Sequence, residues 1–153
     1  MLLSKRVALK TLGKPKLAVP LLILAIAATI AGLALVIGTP TPPCAGVTGA
    51  TTRTFTIIAD LNGYNGSKLQ GGMGPLMVAS RCDTITINLV NKDQTLQTHG
   101  LSVTFYAFNG IEALGGDTAK VTFVAVKAGV FRVYCNTQCS IHNSMQDAAL
   151  TIR

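Results

Sequence analysis

Two cysteines, a histidine and a methionine lie close together near the end of the chain, in the stretch CNTQCSIHNSM. They are Cys135, Cys139, His142 and Met145. Sulfur ligands combined with imidazole select copper or zinc among biological metals. Methionine is not among the usual ligands of zinc, so a methionine close behind a cysteine and a histidine favours copper.

The other histidine of the chain, His99, lies far upstream in QTHGLSV and could supply a second imidazole. Each of these residues also has a simpler interpretation, because methionine often fills a core and extracytoplasmic cysteines often form disulfides. Taken together, however, both histidines and two of the four cysteines occur in the arrangement that a copper site needs. A c-type haem is disfavoured because the chain has no C-x-x-C-H motif. The pattern therefore predicts a copper site.

Short strands are predicted to position these ligands. Residues 83–91 alternate, with Ile85, Ile87 and Leu89 on one face, as in a half-buried strand. Similar β-prone stretches cover residues 54–59, 101–108, 119–126, 130–135 and 148–153, with a further short strand near 76–78. Six to eight short strands within one small domain favour an all-β sandwich or barrel.

The N-terminal part of the chain has a different composition. Residues 17–38 carry no charge and are long enough to cross a bilayer core of about 30 Å as a helix. Residues 1–16 hold five basic residues and no acid, so this end is expected in the cytoplasm and the rest outside. We predict a basic cytoplasmic tail (1–16), one transmembrane helix (17–38), an extracytoplasmic linker (39–52) and a copper domain (53–153). A cleaved signal peptide is the alternative, but its apolar core would be shorter.

The formal net charge of +7 arises largely from the cytoplasmic tail. From residue 38 onward the chain has eight basic and six acidic residues. That balance does not make a nucleic-acid-binding surface.

The stretch from Gly129 to Met145 resembles the copper loop of cytochrome c oxidase subunit II. The pattern of that family is G-x-[YF]-x-x-x-C-x-x-x-C-x-x-x-H-x-x-M, preceded by an upstream histidine in a D-x-x-H-[GS]-F context. In this chain the upstream element is QTHGL, which contains His99. The single predicted anchor is similar to the shorter subunit II of b-type and archaeal oxidases. The resemblance implies a cupredoxin domain, which is a Greek-key β-sandwich.

The same resemblance implies a binuclear CuA centre with two copper ions. Cys135 and Cys139 would bridge both coppers, and His99 and Met145 would complete one of them. The second copper would be completed by His142 and the backbone carbonyl of Thr137. By this resemblance, the chain is the electron-entry subunit of a proton-translocating haem–copper terminal oxidase. It would pass electrons to haem in subunit I and would itself only transfer electrons.

One spacing departs from the family pattern, because only Ser140 and Ile141 separate Cys139 from His142, where the pattern has three residues. The shorter spacing resembles the mononuclear blue-copper loop of amicyanin. A membrane-anchored blue-copper carrier, using His99, one cysteine, His142 and Met145, is therefore an alternative function. A metal-free subunit II, as in quinol oxidases, is a further alternative.

The external electron donor is expected to be a blue-copper protein or a cytochrome. Complementary charge guides such encounters, and this domain has few acids and no tryptophan. A small blue-copper protein or a donor held at the membrane therefore fits better than a strongly basic cytochrome c.

The two remaining cysteines, Cys44 and Cys82, lie outside the copper loop. Spare cysteines outside the cytoplasm are commonly oxidised, so we predict a disulfide between them. Lipidation of Cys44 is the alternative.

Overall fold

The computed structural model describes residues 41–153, which form nine strands and two short 3₁₀ helices. The helices are Ser67–Gln70 and His142–Met145. The strands are β1 (Thr52–Asp60), β2 (Gly63–Tyr64), β3 (Met73–Ala79), β4 (Thr84–Asn91), β5 (His99–Val103), β6 (Ala107–Ala113), β7 (Thr118–Val124), β8 (Gly129–Tyr134) and β9 (Asp147–Ile152). None of the helices in this part of the chain has the length and apolar character needed to span a membrane. The predicted cytoplasmic tail, the predicted transmembrane helix and the first residues of the linker lie outside the described residues.

The nine strands form two sheets. One sheet has the order β2-β1-β4-β7 and the other β3-β9-β8-β5-β6. Strand β1 pairs in parallel with β4, and β3 pairs in parallel with β9, whereas the remaining pairs are antiparallel. The predicted all-β sandwich is therefore confirmed, with one strand more than the upper end of the expected range.

Strand β4 lies in the middle of the first sheet and shows how the sequence pattern builds the core. The side chains of Ile85, Ile87 and Leu89 are fully buried, as their alternation predicts, while the residues between them are partly exposed. Burying each such side chain contributes about 1.5–3 kcal/mol to folding. These side chains belong to one hydrophobic cluster that draws residues from both sheets.

The prediction of a single strand over residues 101–108 is wrong. Strand β5 ends at Val103 and β6 begins at Ala107, and these two residues pair across a tight turn. Phe105 in that turn has a φ of +73°, which is unusual for a residue other than glycine. Its ring lies 5.9 Å from the ring of Phe131, and the Lys127 ammonium lies 5.2 Å from its centroid, so these contacts hold the turn. Because the turn is built from β-prone residues, the sequence gives no signal for it.

A disulfide joins Cys44 to Cys82, with their Cα atoms 5.5 Å apart. The bond connects the segment before β1 to the turn between β3 and β4.

Asp83, next to this disulfide, organises the same end of the domain. Its carboxylate accepts hydrogen bonds from Thr51 N at 2.8 Å, Thr51 Oγ1 at 3.0 Å and Ser80 N at 2.9 Å. The backbone hydrogen bonds from Thr51 and Ser80 lower the pKa of Asp83, and burial opposes them only in part. The side chain therefore ties the start of β1 to the β3–β4 turn as a carboxylate.

We expect Asp83→Asn to lower the thermal midpoint by several degrees at neutral pH, because an amide cannot accept all of these hydrogen bonds. Since the folded-state pKa of Asp83 is lowered, its contribution is fully present above an unfolded-state pKa of about 3.9. It is lost as the pH falls through the folded-state value. Calorimetry of both chains from pH 7 downward should show the two midpoints converging in acid. Asp117→Asn, at an exposed carboxylate, is the control, and an equal effect there would contradict the assignment.

Candidate metal centre

Two neighbouring strands carry the first two predicted ligands to the same end of the second sheet. His99 is the first residue of β5, and Cys135 directly follows the last residue of β8. The strands are antiparallel, with Ser102 opposite Tyr134, so the start of β5 meets the end of β8. Strand pairing alone therefore brings together two residues that are 36 positions apart in the chain.

Three of the predicted ligands form one group. The ligand atoms of His99, Cys135 and Cys139 all lie within 4.8 Å of one another. His99 and Cys135 are buried and Cys139 is half-buried, and neither cysteine is in a disulfide. An imidazole and two thiols in a largely buried position form a donor set that suits copper or zinc.

His99 is oriented by a buried carboxylate, Asp93. The His99 Nε2 atom lies 2.9 Å from Asp93 Oδ2. A carboxylate can only accept, so Nε2 carries the proton of this bond and leaves the Nδ1 lone pair free. His99 Nδ1 is the one buried side-chain nitrogen or oxygen atom without a hydrogen-bond partner among residues 41–153. A buried polar atom without a partner is costly, so a metal ion bound at Nδ1 would fit this position.

Hydrogen bonds from neighbouring residues keep the carboxylate of Asp93 ionised. Burial alone would raise the pKa of Asp93, but hydrogen bonds from the side chain and backbone of Thr95 and from His99 outweigh it, and the pKa is lowered. The Thr95 N and Oγ1 atoms lie 2.7 Å and 2.5 Å from Asp93 Oδ1. Asp93 therefore remains an acceptor for His99 at neutral pH.

The sequence prediction missed Asp93. The family pattern has an aspartate three residues before the histidine, but Leu96 occupies that position here. The carboxylate that contacts His99 is instead that of Asp93, six residues before the histidine. An acid followed two residues later by threonine could have suggested a local hydrogen-bonded turn, but nothing in that pattern points towards His99.

The two thiols affect each other. Burial first, and then the negative charge of Cys135, raises the pKa of Cys139 to about 11. Gly100 N donates a hydrogen bond to Cys135 Sγ at 3.4 Å. Two adjacent thiolates would repel each other in this environment, so a cation between them would favour their ionisation.

Thr137 and His142 lie beside this group. His142 Nδ1 is 3.0 Å from the Thr137 carbonyl oxygen, and Cys135 Sγ lies 3.1 Å from the same oxygen. His142 is not part of the three-residue group, but it shares this carbonyl with Cys135. Because a carbonyl only accepts, Nδ1 carries a proton in this arrangement, and metal binding through Nδ1 would require that proton to leave.

Met145, the last predicted ligand in the loop, is buried inside the domain. Its side chain is buried in the hydrophobic cluster that also contains Cys135. Its carbonyl accepts a hydrogen bond from Cys135 N at 2.9 Å. The backbone of Met145 is thus fixed beside Cys135, and the role of its thioether as a ligand stays a prediction.

The short spacing between Cys139 and His142 is accommodated by a tight turn. His142 N donates to the Cys139 carbonyl at 3.2 Å. Ser140 is held from outside by Gln97, whose amide oxygen accepts from Ser140 N at 2.9 Å and whose amide nitrogen lies 3.0 Å from Ser140 Oγ. The loop therefore closes with one residue fewer than the family pattern.

The described domain is similar to the solved structure of a copper nitrite reductase from Nitrosomonas europaea. The TM-score is 0.52 and the sequence identity is 20%, over 66% of this chain and 41% of that chain. The chain therefore spans less than half of the length of the reductase, and the likeness supports a cupredoxin fold. No protein-family model and no curated protein matches the chain.

We expect Asp93→Asn to weaken copper binding by about 10–100-fold, the usual effect of removing a carboxylate that orients a metal-bound histidine. The amide keeps the size of the side chain but can present N–H groups towards Nε2 and disturb the tautomer. Competition with a chromophoric copper chelator would measure the change. Asp117→Asn is the matched control, and affinity unchanged in Asp93→Asn would contradict the role given to Asp93.

Proposed function

We propose that this chain is subunit II of a haem–copper terminal oxidase and receives electrons at a binuclear copper centre outside the membrane. Two observations carry the proposal: the imidazole of His99 lies with a ring nitrogen within 4.8 Å of the Cys135 and Cys139 sulfurs, and its Nδ1 atom is buried without a hydrogen-bond partner. The cupredoxin fold and the resemblance of the loop to that of subunit II support the same conclusion.

The presence of two cysteines favours a binuclear centre over a mononuclear one. Cys139 Sγ lies within 4.8 Å of both Cys135 Sγ and a ring nitrogen of His99, so both sulfurs are within reach of one site. The Thr137 carbonyl, which lies 3.1 Å from Cys135 Sγ, and His142, whose Nδ1 lies 3.0 Å from that carbonyl, provide a second pair of donors. Cys135 is therefore near both sets of donors, and His99, Cys135, Thr137, Cys139 and His142 together would hold the two coppers.

The residues of this chain would bind, orient and shield the metal. Asp93 fixes the tautomer of His99, Gly100 N donates to Cys135 Sγ, and burial excludes water from one side of the site. Bound there, copper would accept and release one electron at a time. A loop already closed by its own hydrogen bonds limits ligand movement during such a transfer.

The partners follow from the same proposal. Haem-bearing subunit I and other membrane subunits would receive the electron, and the predicted helix at residues 17–38 would anchor the chain beside them. The donor would be a small blue-copper protein or a membrane-held cytochrome, because the domain has few acids to attract a basic cytochrome.

The number of coppers distinguishes the proposal from the blue-copper alternative. We expect two coppers per chain and an electron paramagnetic resonance spectrum in which one unpaired electron is shared by two copper nuclei. Cys139→Ser should lose that sharing, because a hydroxyl is a poor bridging ligand for copper. The double variant Cys44→Ser/Cys82→Ser removes two cysteines elsewhere and should keep the signal. One copper with a localised spectrum would favour the carrier, and no bound copper would favour the metal-free subunit.

Association with haem tests the oxidase assignment separately. We expect the full chain, tagged at its C-terminus and purified from membranes in mild detergent, to bring down haem that is reduced by an artificial donor and consumes oxygen. Cys135→Ser/Cys139→Ser should still bring down the haem but lose electron transfer from the donor. A copper-loaded chain that purifies without any haem would contradict the subunit assignment.

A further inference from the structure

Tyr64 is a large, fully buried side chain beside the metal centre with no role in the function proposed above. It lies on β2, where it pairs with Ala59 at the end of β1. Its hydroxyl donates a hydrogen bond to the carbonyl oxygen of Gly100. Gly100 directly follows His99, so Tyr64 reaches the centre from a different sheet and a distant part of the chain.

Gly100 connects Tyr64 to the candidate metal centre through two hydrogen bonds. Its carbonyl accepts from Tyr64, and its N–H donates to Cys135 Sγ at 3.4 Å. The residue is also tightly enclosed, because a Cβ atom at this position would lie 2.2 Å from Asn136 Oδ1 and 2.5 Å from Thr137 Oγ1. The carbonyl and the N–H of Gly100 are joined through its Cα atom, and the enclosure limits rotation about it, so fixing the carbonyl also restricts the direction of the N–H group.

The hairpin that carries Tyr64 is attached to the copper loop. Tyr64 N donates to Ser67 Oγ at 3.0 Å, and the Ser67 hydroxyl donates in turn to the Ser144 carbonyl. Ser144 lies between His142 and Met145 in the second 3₁₀ helix. Gly63, with a φ of +87°, allows the close approach, since a Cβ there would lie 2.9 Å from Ser144 O.

The surroundings of the Tyr64 hydroxyl favour its protonated form. Burial first, and then the negative charges of Cys135 and Cys139, raises the pKa of Tyr64 far above its ordinary value. Its hydroxyl therefore stays protonated beside the sulfur ligands.

We propose that Tyr64 is a positioning residue that, through Gly100, sets the hydrogen bond received by the Cys135 sulfur and so tunes the reduction potential of the copper site. This inference rests on the copper site proposed above. Hydrogen bonding around a cysteine sulfur is one of the determinants of copper reduction potential. A hydrogen bond to the sulfur favours the reduced, more electron-rich site, so weakening it lowers the potential.

Tyr64→Phe in the copper-loaded full chain tests the inference. We expect a lower reduction potential and a shifted sulfur-to-copper absorption band, with copper still bound. Tyr106→Phe is the matched control, because it also removes a phenol hydroxyl, one that donates to Lys127 O at 2.7 Å and accepts from Lys127 N at 2.9 Å. That variant should leave both the potential and the band unchanged.

The outcomes separate this inference from the proposed function. A wild-type chain that binds no copper overturns the copper site itself. If both proteins bind copper equally and Tyr64→Phe has the same potential and band, only the role of Tyr64 is overturned, even if the variant is less stable.

If Tyr64→Phe does not fold, 3-fluorotyrosine at position 64 keeps the shape and makes the hydroxyl a stronger donor. A higher potential would then support the inference, and an unchanged one would overturn it.

Discussion

The hydrogen bond between Asp93 and His99 is the interaction on which the candidate metal centre depends. It is 2.9 Å long and lies between two fully buried side chains. Because Asp93 can only accept, the bond fixes the proton of His99 on Nε2 and leaves the lone pair of Nδ1 without a hydrogen-bond partner. Thr95 keeps the carboxylate ionised and in place, so a local turn before β5 determines the chemistry of a ligand at its start. An unsatisfied buried nitrogen costs about 1–3 kcal/mol, and metal binding at this atom would remove that cost.

Cys135 connects this histidine to the rest of the site. Strand pairing between β5 and β8 sets the distance between Cys135 and His99. The loop that follows Cys135 contacts it again through the carbonyl oxygens of Thr137 and Met145. The loop is thus organised around Cys135 by backbone contacts as well as by the side chains that would bind metal. The loop has one residue fewer between Cys139 and His142 than the family pattern, but it still closes, because the turn is fixed by its own hydrogen bond and by Gln97. The shorter loop therefore still brings both sulfur atoms within 4.8 Å of each other.

The sequence predicts the parts of this structure that have a local signal. The alternation of apolar and polar residues predicts β4. The combination of histidine and cysteine side chains predicts His99 and Cys135 as metal ligands, because few other roles require these residues at such spacing. The turn at Phe105 was missed because its positive φ is held by packing against distant side chains, not by a turn residue. Asp93 and Tyr64 were missed for a related reason: each acts on His99 or its neighbour only after the strands have paired. Contacts of this kind depend on tertiary structure, and a single sequence contains no period or motif that records them.

Burial of two aspartates also changes the surface that a redox partner would meet. Asp83 and Asp93 are almost completely buried and serve as internal hydrogen-bond acceptors. The eight basic residues from residue 38 onward are all exposed, whereas only four of the six acids lie outside the core. The described domain therefore presents a more positive surface than its composition suggests. Like charges slow the encounter of two proteins and opposite charges speed it, so the electron donor proposed above would be acidic or neutral at its contact surface. The same hydrogen bonds that build the fold thus bear on the choice of partner.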